Sequence, residues 1–494
     1  MLALPLIAAA QTPVAPDSLR APAVMREFRG MWVATVNNLD WPSRSNLSTA
    51  EQQQELLAIL DRAAALKMNA IIFQVRPEAD ALYASKYEPW SRYLTGRQGR
   101  APSPYWDPLK FAVEESHKRG LELHAWFNPY RAAFWRDSAV ASTHISRRRP
   151  RLVVPYSQYL WMNPGIPDVR HLMIRIVVDV VRRYDIDGVH IDDYFYPYPE
   201  VNATKEKIEF PDASTYAAYR REGGRLGKAD WRRRNVNLLV REFYAAVKDE
   251  KKWVKVGISP FGIWRPGAPP TTTAGVDQYD ELYADARRWL RDGSLDYIAP
   301  QLYWPVLPPE QSYPLLLKWW VDESIKGRHV WPGLALYKIP IPGPKKMSVD
   351  DIAQEIQITR DTPGATGHVL FNAKVLMDNA EGIGDRLAQV YAEPALVPAS
   401  PWLAKRPPPR PRVRVVRDTV TGESTIRFAP QNDQHIGRWV VQSRVGGAWL
   451  TTLLPGTERT YILKGDEGAA DLINVSAVGR AGNASVAAVI RLTP

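Results

Sequence analysis

Short β-like runs alternate with helix-like segments from residue 26 to about residue 390, and no other feature constrains the fold as strongly. The runs are rich in β-branched and aromatic residues and occupy residues 29–36, 70–77, 121–129, 188–196, 255–263, 297–304, 330–337 and 368–372. Amphipathic stretches with apolar residues at helical spacing, such as residues 50–67, lie between them. Eight such units predict an α/β fold, a parallel (β/α)8 TIM barrel. A doubly wound open sheet is the alternative, but no glycine-rich dinucleotide turn is present.

The composition and the hydrophobic pattern of the sequence change after residue 393. Residues 394–411 are rich in proline, and this composition predicts an extended linker. Residues 412–494 contain short alternating runs separated by turn residues, which predicts a small all-β sandwich. This pattern, including residues 474–483 (NVSAVGRAGN), resembles a fibronectin type III domain. We therefore expect a barrel over residues 26–393, followed by the linker and the sandwich.

Residues 1–25 form a signal-like segment and an N-terminal tail. Residues 1–16 have the apolar core and the small residues, at positions 8–10, of a secretory signal, although a positively charged start is missing. No later run reaches the ~18 apolar residues that a transmembrane helix needs. The chain contains no cysteine, which excludes disulfides and thiol chemistry. We expect an exported protein of the periplasm or another extracytoplasmic space.

The composition points to a polymeric partner. The net charge of +11 favours either nucleic acid or an anionic envelope polymer. Neither zinc-finger spacing nor an RNP-type motif is present, so we expect no nucleic-acid partner. The 18 tryptophans and 22 tyrosines, many beside proline, glycine or asparagine, favour a polysaccharide, because flat rings suit sugar faces. The sequence does not indicate the oligomeric state.

Residues 187–197 (DGVHIDDYFYP) carry the strongest candidate site. Val189 and Ile191 share one face of a strand, whereas His190, Asp192 and Tyr194 share the other. A polar face on a buried strand is costly unless it lines a site. The simpler interpretation is that Asp192 and Asp193 only cap the following turn.

The same alternation assigns inward-facing residues to the other strands. The first strand is expected to contribute Thr35 and Asn37, and the eighth Asn372 and Lys374. The candidate substrate-binding residues lie on the predicted inner face or just beyond a strand end; they are Arg76, His124, Trp126, Asn128, His190, Tyr194, Trp264, Gln301, Tyr303, Trp304 and Asn372.

Carboxylates, amides and aromatic rings together favour glycoside hydrolysis, which normally needs two carboxyl groups. Asp192 is the first candidate, with Asp193 as its preferred partner and Glu78 or Asp80 as alternatives. Arg76 is expected to keep one of these carboxylates ionised. No GxSxG, HxH or HExxH motif is present, so we predict no cofactor and no metal. His124, His190 and Asp192 are the alternative ligands if a metal is used.

Several ordered motifs resemble those of the glycosyl-hydrolase-like 10 family. They are residues 26–35 (REFRGMWVAT), 74–77 (QVRP), 80–83 (DALY), 125–131 (AWFNPYR), 187–197, 257–265 (GISPFGIWR) and 300–304 (PQLYW). The resemblance implies a barrel, an extracytoplasmic setting and a glycan substrate, since some members cut peptidoglycan glycan strands, especially strands stripped of peptides. Residues 187–194 also resemble the DGxDxDxE strand of chitinase-type barrels. Asp192 then has the position that assists an N-acetyl nucleophile, while Tyr194 replaces the usual acid.

Two other functions remain open at this point. A noncatalytic glycan-binding protein would keep the same inner face without turnover. A hydrolase of another polysaccharide, such as an exopolysaccharide, would use the same carboxylates on a different polymer.

Overall fold

The computed structural model describes residues 20–134, 139–307, 309–417, 423–432 and 435–492. It divides into two compact units. The larger unit comprises Met25–Pro407 and Gly479–Asn483, and the smaller comprises Met1–Val24, Pro408–Val478 and Ala484–Pro494. The predicted leader, residues 1–16, lies outside the described residues. No helix in the described ranges is both long and apolar enough to cross a bilayer.

The described residues of the larger unit form twelve strands and twelve α-helices. The strands are β1 Phe28–Val33, β2 Ala70–Arg76, β3 Glu122–Phe127, β4 Arg131–Phe134, β5 Val153–Tyr156, β6 Tyr159–Met162, β7 Gly188–Ile191, β8 Lys255–Ile258, β9 Tyr297–Ile298, β10 His329–Val330, β11 Gly333–Ala335 and β12 Gly367–Phe371. The helices are α1 Thr49–Ala65, α2 Arg92–Thr95, α3 Pro108–Lys118, α4 Ile145–Arg148, α5 Pro167–Arg183, α6 Ala213–Arg221, α7 Lys228–Glu250, α8 Ala286–Asp292, α9 Tyr313–Glu323, α10 Val349–Asp361, α11 Ala373–Met377 and α12 Ile383–Val390. Short 3-10 turns occupy Val36–Asn38, Pro150–Leu152, Pro309–Gln311, Leu336–Lys338 and Ala380–Gly382.

Nine of these strands form one curled parallel sheet in the order β10-β9-β8-β7-β3-β2-β1-β12-β11. The predicted strands are all present, although most are shorter than expected, and the seventh is split into β10 and β11. These two pieces stand at opposite ends of the strand order, yet only Trp331 and Pro332 separate them in the chain. The sheet therefore curls until its two end strands are consecutive in sequence.

Side-chain capping bonds fix the starts of α3 and α10. The Asp107 carboxylate accepts from the backbone N–H of Lys110 at 3.1 Å, with Pro108 as the first residue of α3. Ser348 and Asp351 form a reciprocal capping box at the start of α10.

Aromatic side chains from strands that are not neighbours fill the concave side of the sheet. Phe28 of β1 stacks on Trp331 at 3.7 Å between ring centroids, and Tyr297 of β9 lies 4.4 Å from Trp331. Rings from β1 and β9 can meet in this way only if the sheet curls around them. Residues of the opposite parity, such as Ile71 and Phe73, pack outward in the larger core shared with the helices.

Glycines on the inner face make room for these rings. A Cβ at Gly257 would stand 1.8 Å from the Tyr297 ring, and one at Gly188 would stand 2.5 Å from Nδ1 of His124. Both distances are far below van der Waals contact, so any larger residue would displace a fully buried ring.

The connection after β3 forms a small antiparallel sheet in the order β4-β6-β5. This region, like the long connection after β7, follows the carboxyl end of a strand of the parallel sheet. Trp161 of β6 donates its indole N–H to the carbonyl of Phe195 at 3.0 Å, which joins these two connections.

The part of the smaller unit that the structure describes forms two antiparallel sheets. Its strands are β13 Arg412–Arg417, β14 Ser424–Ala429, β15 Ile436–Val445, β16 Ala448–Pro455, β17 Thr460–Ile462, β18 Leu472–Gly479 and β19 Ala488–Arg491, with a 3-10 turn at Gly465–Ala469. The sheets have the orders β13-β14-β17 and β16-β15-β18-β19. Ile426 and Phe428 of the first sheet share a core with Trp439 and Val475 of the second.

We expect Gly257→Ala to lower the free energy of unfolding by about 1–3 kcal/mol, because its methyl group overlaps the Tyr297 ring. Gly275→Ala is the matched control, since a Cβ there meets nothing within 4 Å. Thermal and urea unfolding followed by tryptophan fluorescence measure the difference. Equal unfolding curves for the two variants would contradict the inner packing described above.

Candidate active site

A cavity of about 360 Å³ lies at the carboxyl ends of the parallel strands of the larger unit. We call it the central cavity. Ligand sites of parallel α/β folds lie at this end, where the loops after the strands converge. Its lining residues are Trp32, Ala34, Val36, Leu39, Gln74, Trp126, Arg131, Asp192, Asp193, Tyr194, Tyr198, Ser259, Gln301, Tyr303, Tyr337 and Phe371.

Asp192 follows β7 directly, and two side-chain amides hold its carboxylate. Asn128 Nδ2 donates to both carboxylate oxygens, at 2.8 and 2.7 Å. Gln74 Nε2 in turn donates to Asn128 Oδ1 at 2.6 Å. The backbone N–H groups of Thr35 and Val36 both donate to Gln74 Oε1 at 2.8 Å. Since a backbone N–H can only donate, this contact determines the orientation of both amides and directs an NH2 group at Asp192.

Asp193 also lines the cavity, and the hydroxyl of Tyr198 donates to its Oδ2. Burial raises the pKa of Asp193, while the Tyr198 hydroxyl counteracts the rise. Burial, and then the charge on Asp193, raise the pKa of Asp192 to about 7. The site thus holds two adjacent carboxyl groups, and Asp192 keeps its proton at near-neutral pH once Asp193 is ionised.

Arg131 is the cation of the central cavity. It follows β3 by four residues, and Pro129 and Tyr130 precede it in the chain. Its guanidinium lies over the Tyr194 ring at 4.9 Å and lowers the pKa of Asp192 and Asp193 against the effect of burial. Arg131 was not among the residues predicted from the sequence, although it ends the AWFNPYR motif.

Aromatic rings form much of the remaining lining. Trp32 and Trp126 lie at the base, and Tyr303, Tyr337 and Phe371 lie together on one side. Centroid distances of 5.6 Å for Tyr303 to Tyr337 and 6.2 Å for Tyr303 to Phe371 make this side a continuous apolar surface. A sugar ring can pack against such a surface while its hydroxyls reach Gln301 and the carboxylates.

Arg76 does not take the role expected for it. Its guanidinium donates to Glu88 at 2.6–3.0 Å and to the backbone carbonyl of Asn128, and Arg76 is fully buried. Strand alternation misassigned Arg76 because the pairing of β2 with β3 is irregular between Gln74 and Arg76. Among the described residues that line the cavity, the cation beside Asp192 and Asp193 is Arg131.

Glu78 and Asp80 lie behind the central cavity rather than in its lining. Both are fully buried on the loop after β2. Burial raises the pKa of Glu78, and burial together with the charge on Glu78 raises the pKa of Asp80 to about 7. Gln98 donates to Asp80 at 3.0 Å. Of the four predicted carboxylates, the structure therefore brings Asp192 and Asp193 together in the cavity.

His190 and His124 lie below the cavity in the aromatic filling. Trp32 Nε1 donates to His190 Nε2 at 3.2 Å, so His190 carries its proton on Nδ1 and donates to the Tyr297 hydroxyl at 3.0 Å. Tyr297 then donates to His124 Nδ1 at 2.8 Å. Burial holds the pKa of His190 well below its usual range, which fits this neutral form. Within the described ranges, no three His, Asp or Glu side chains form a group able to hold a metal ion.

Three other predicted residues lie outside the lining. Trp264 stacks on Trp319 of α9 at 6.0 Å, and Trp304 lies edge-on to Phe261 at 5.5 Å. Asn372 donates to Asp40 at 2.7 Å. Trp126, Tyr194, Gln301 and Tyr303, by contrast, do line the cavity, and Asn128 contacts it through Asp192.

Strand alternation also failed at β1 and β12. Trp32, Ala34 and Val36 line the cavity where Thr35 and Asn37 were expected, and Phe371 lines it where Asn372 and Lys374 were expected. Near the end of β1, both faces carry apolar residues, so the pattern cannot distinguish them. Tyr198 was also missed, because it lies five residues beyond Asp193 in a loop to which no alternation applies.

Comparison with known proteins defines the class. The chain is 42% identical over 420 residues to "Glycosyl hydrolase YngK" of Bacillus subtilis (strain 168), covering 83% of this chain and 81% of that protein. It is 35% identical over 395 residues to "Glycosyl hydrolase DigH" of Escherichia coli (strain K12), covering 73% of this chain and 87% of that one. Together with paired carboxyl groups in a cavity at the strand ends, these relatives identify a glycoside hydrolase.

The chain belongs to the glycosyl hydrolase-like 10 family, whose model matches residues 27–350. Among solved structures, the glycoside hydrolase domain of PgaB (BpsB) from Bordetella bronchiseptica aligns with 74% of this chain and 99% of that chain. The sequence identity is 14% and the TM-score 0.47.

The free energy of unfolding should fall less steeply between pH 4 and pH 8 in Asp192→Asn than in the native protein. The folded protein keeps a proton on Asp192 up to about pH 7, whereas the unfolded chain loses it near pH 4. The unfolded state therefore binds fewer protons across this window, and the free energy of unfolding falls as pH rises. The asparagine variant lacks the pH-dependent contribution of Asp192 to the free energy of unfolding. We therefore expect its melting temperature to exceed that of the native protein at pH 8, and to exceed it by less at pH 5.

Asp249→Asn, on the exposed face of α7, is the matched control and should follow the native protein at every pH. Identical pH profiles of melting temperature for the native protein and Asp192→Asn would contradict a protonated Asp192 in the folded state.

Proposed function

We propose that the protein hydrolyses the glycan strands of bacterial peptidoglycan, with strands free of peptides as its preferred form. The observation that carries this proposal is the pair Asp192 and Asp193 in a cavity whose other walls are largely aromatic. Acid–base carboxyls beside rings that can stack on sugars are what hydrolysis of a glycan requires. The substrates known for some family members support peptidoglycan as the polymer.

We also propose that the protein works outside the cytoplasm, in the periplasm or a comparable envelope space. The signal-like residues 1–16 support export. The net charge of +11 favours association with an anionic envelope polymer.

In the proposed reaction, Asp192 is the general acid. Its carboxyl group, protonated up to about pH 7, donates a proton to the glycosidic oxygen as the bond to the anomeric carbon breaks. Asp193, held by the Tyr198 hydroxyl, is the ionised partner and takes the proton from the water that completes hydrolysis. When the sugar carries an N-acetyl group, the amide oxygen can attack the anomeric carbon first, with Asp193 orienting it.

For the architecture, we propose that the curled sheet is a closed (β/α)8 barrel over residues 26–393, followed by a linker at 394–411. Gly333 N–H donates to the Pro300 carbonyl at 2.9 Å, and Val369 N–H donates to the Pro332 carbonyl at 2.9 Å, which supports a seventh strand pairing on both sides. For residues 412–494 we propose a fibronectin type III-like sandwich. Its sheets of three and four strands, with β14 and β15 on opposite sheets, support this assignment.

Asp192→Asn should lower the rate of glycan cleavage by at least about 10²-fold while the protein stays folded, since a positioned proton donor contributes about 10²–10⁴-fold. Purified peptidoglycan, with and without its peptides, is the substrate, and mass spectrometry of the released ends is the measurement. Asp249→Asn is the control and should cleave at the native rate. Near-native cleavage by folded Asp192→Asn would refute the assignment of the acid. Cleavage of another polysaccharide without any cleavage of peptidoglycan would refute peptidoglycan as the substrate.

Tyr198→Phe should shift the acidic limb of the pH profile of kcat/KM to higher pH. Loss of the hydroxyl removes a hydrogen bond that favours the ionised form of Asp193, so the pKa of Asp193 rises further. In the native protein, kcat/KM should also fall as pH rises through about 7, because Asp192 loses its proton. The control is Tyr87→Phe, an exposed tyrosine outside the cavity. An unchanged acidic limb in Tyr198→Phe would exclude Asp193 as the ionised partner.

A further inference from the structure

Arg131 is a buried cation that forms no ion pair with any residue that the structure describes. It is 6% exposed and lines the central cavity. Its Nε donates to the backbone carbonyl of Pro77 at 3.1 Å, which leaves both terminal amino groups without a hydrogen-bond partner among the described residues. No carboxylate of those residues lies within ion-pair distance of its guanidinium. Buried arginines are normally paired, so this arrangement calls for a partner that the described residues do not supply.

The contacts of Arg131 also fix its direction. The bond from Nε to Pro77 holds the guanidinium from behind, and the Tyr194 ring packs against its face at 4.9 Å. The two amino groups at the far edge of the plane therefore form a preoriented fork. This fork has the geometry that binds the two oxygens of a carboxylate at once.

The carboxylates nearest in the chain's own structure do not fill this fork. Asn128 occupies both oxygens of Asp192, and Tyr198 binds Asp193. Glu78 is the carboxylate whose charge acts most strongly on Arg131, but it lies behind the cavity, outside its lining, and forms no ion pair with the guanidinium. The described residues thus leave the fork open to an anion that enters the central cavity, which Arg131 lines.

We infer that Arg131 is a specificity residue that binds a carboxylate on the sugar next to the bond that is cut. The inference rests on the proposed function and adds to it a charge on the substrate. In peptidoglycan, the lactyl group of each muramic acid residue bears a free carboxylate when the peptide has been removed and a neutral amide when the peptide is present. A fork that requires two carboxylate oxygens accepts the first form and rejects the second, because an amide offers one acceptor and no charge.

Two glycan substrates that differ only in this charge test the inference. One is peptide-free glycan strands, and the other is the same strands after their lactyl carboxylates have been converted to methylamides. We expect the native protein to favour the free carboxylate in kcat/KM by roughly 10- to 100-fold, mostly through KM, as for a hydrogen-bonded ionic contact. Arg131→Gln should lose this preference, and Arg131→Lys should keep part of it, since lysine retains the charge without the fork.

Two matched variants exclude other roles of Arg131. Glu78→Gln should keep the preference, whereas it would lose the preference if Arg131 acted only as the counter-charge of Glu78. Arg175→Gln, an exposed arginine on α5, should match the native protein on both substrates. If Arg131 acted only on the pKa of Asp192, Arg131→Gln would change kcat equally on both substrates and keep the preference, which would overturn the inference.

Binding measured by calorimetry on Asp192→Asn separates this inference from the proposed reaction. Tighter binding of the free-carboxylate strands than of the methylamide strands supports the role of Arg131. This holds even if the native protein cleaves neither substrate, a result that would refute the proposed reaction. Equal binding of both strands, together with equal cleavage of both by the native protein, overturns the role of Arg131 and leaves the hydrolase in place.

Discussion

The position of one carboxylate, that of Asp192, depends on hydrogen bonds contributed by four neighbouring strands. They start at the backbone N–H groups of Thr35 and Val36, pass through Gln74 and Asn128, and end on the two oxygens of Asp192. Each amide has one possible orientation because the first donors are backbone groups. A small shift between adjacent strands would break several of these bonds together, so the sheet itself determines where the Asp192 carboxyl group lies.

The aromatic side chains below the cavity also help to hold the site in place. Trp32 lines the cavity and also donates to His190, which connects through Tyr297 to His124. These polar atoms are buried and satisfied by one another, so the base of the site is rigid without exposing a charge. The two histidines at strand positions that face inward therefore act as packing residues with fixed hydrogen bonds.

Burial and nearby charges make Asp192 and Asp193 differ in how easily they ionise. Two adjacent aspartates in one enclosed cavity cannot both ionise easily, and the Tyr198 hydroxyl favours ionisation of Asp193 over Asp192. Arg131 contributes positive charge without forming an ion pair to either of them. The site therefore combines two carboxyl groups that differ in their readiness to ionise with a guanidinium beside them in the same cavity.

The sequence by itself determined the α/β class, the positions of the strands and the placement of Asp192 and Asp193 at a strand end. Strand alternation and buried apolar runs are local properties, and they suffice where one face is clearly apolar, as at Phe73 or Ile191. Only the tertiary structure decided that Arg131 and not Arg76 accompanies the carboxylates, that Tyr198 holds Asp193, and that His124 and His190 lie beneath the cavity. The reason is physical: an irregular pairing in β2 and the loops beyond the strand ends set the direction of these side chains, and contacts between distant segments leave no periodic pattern in the chain.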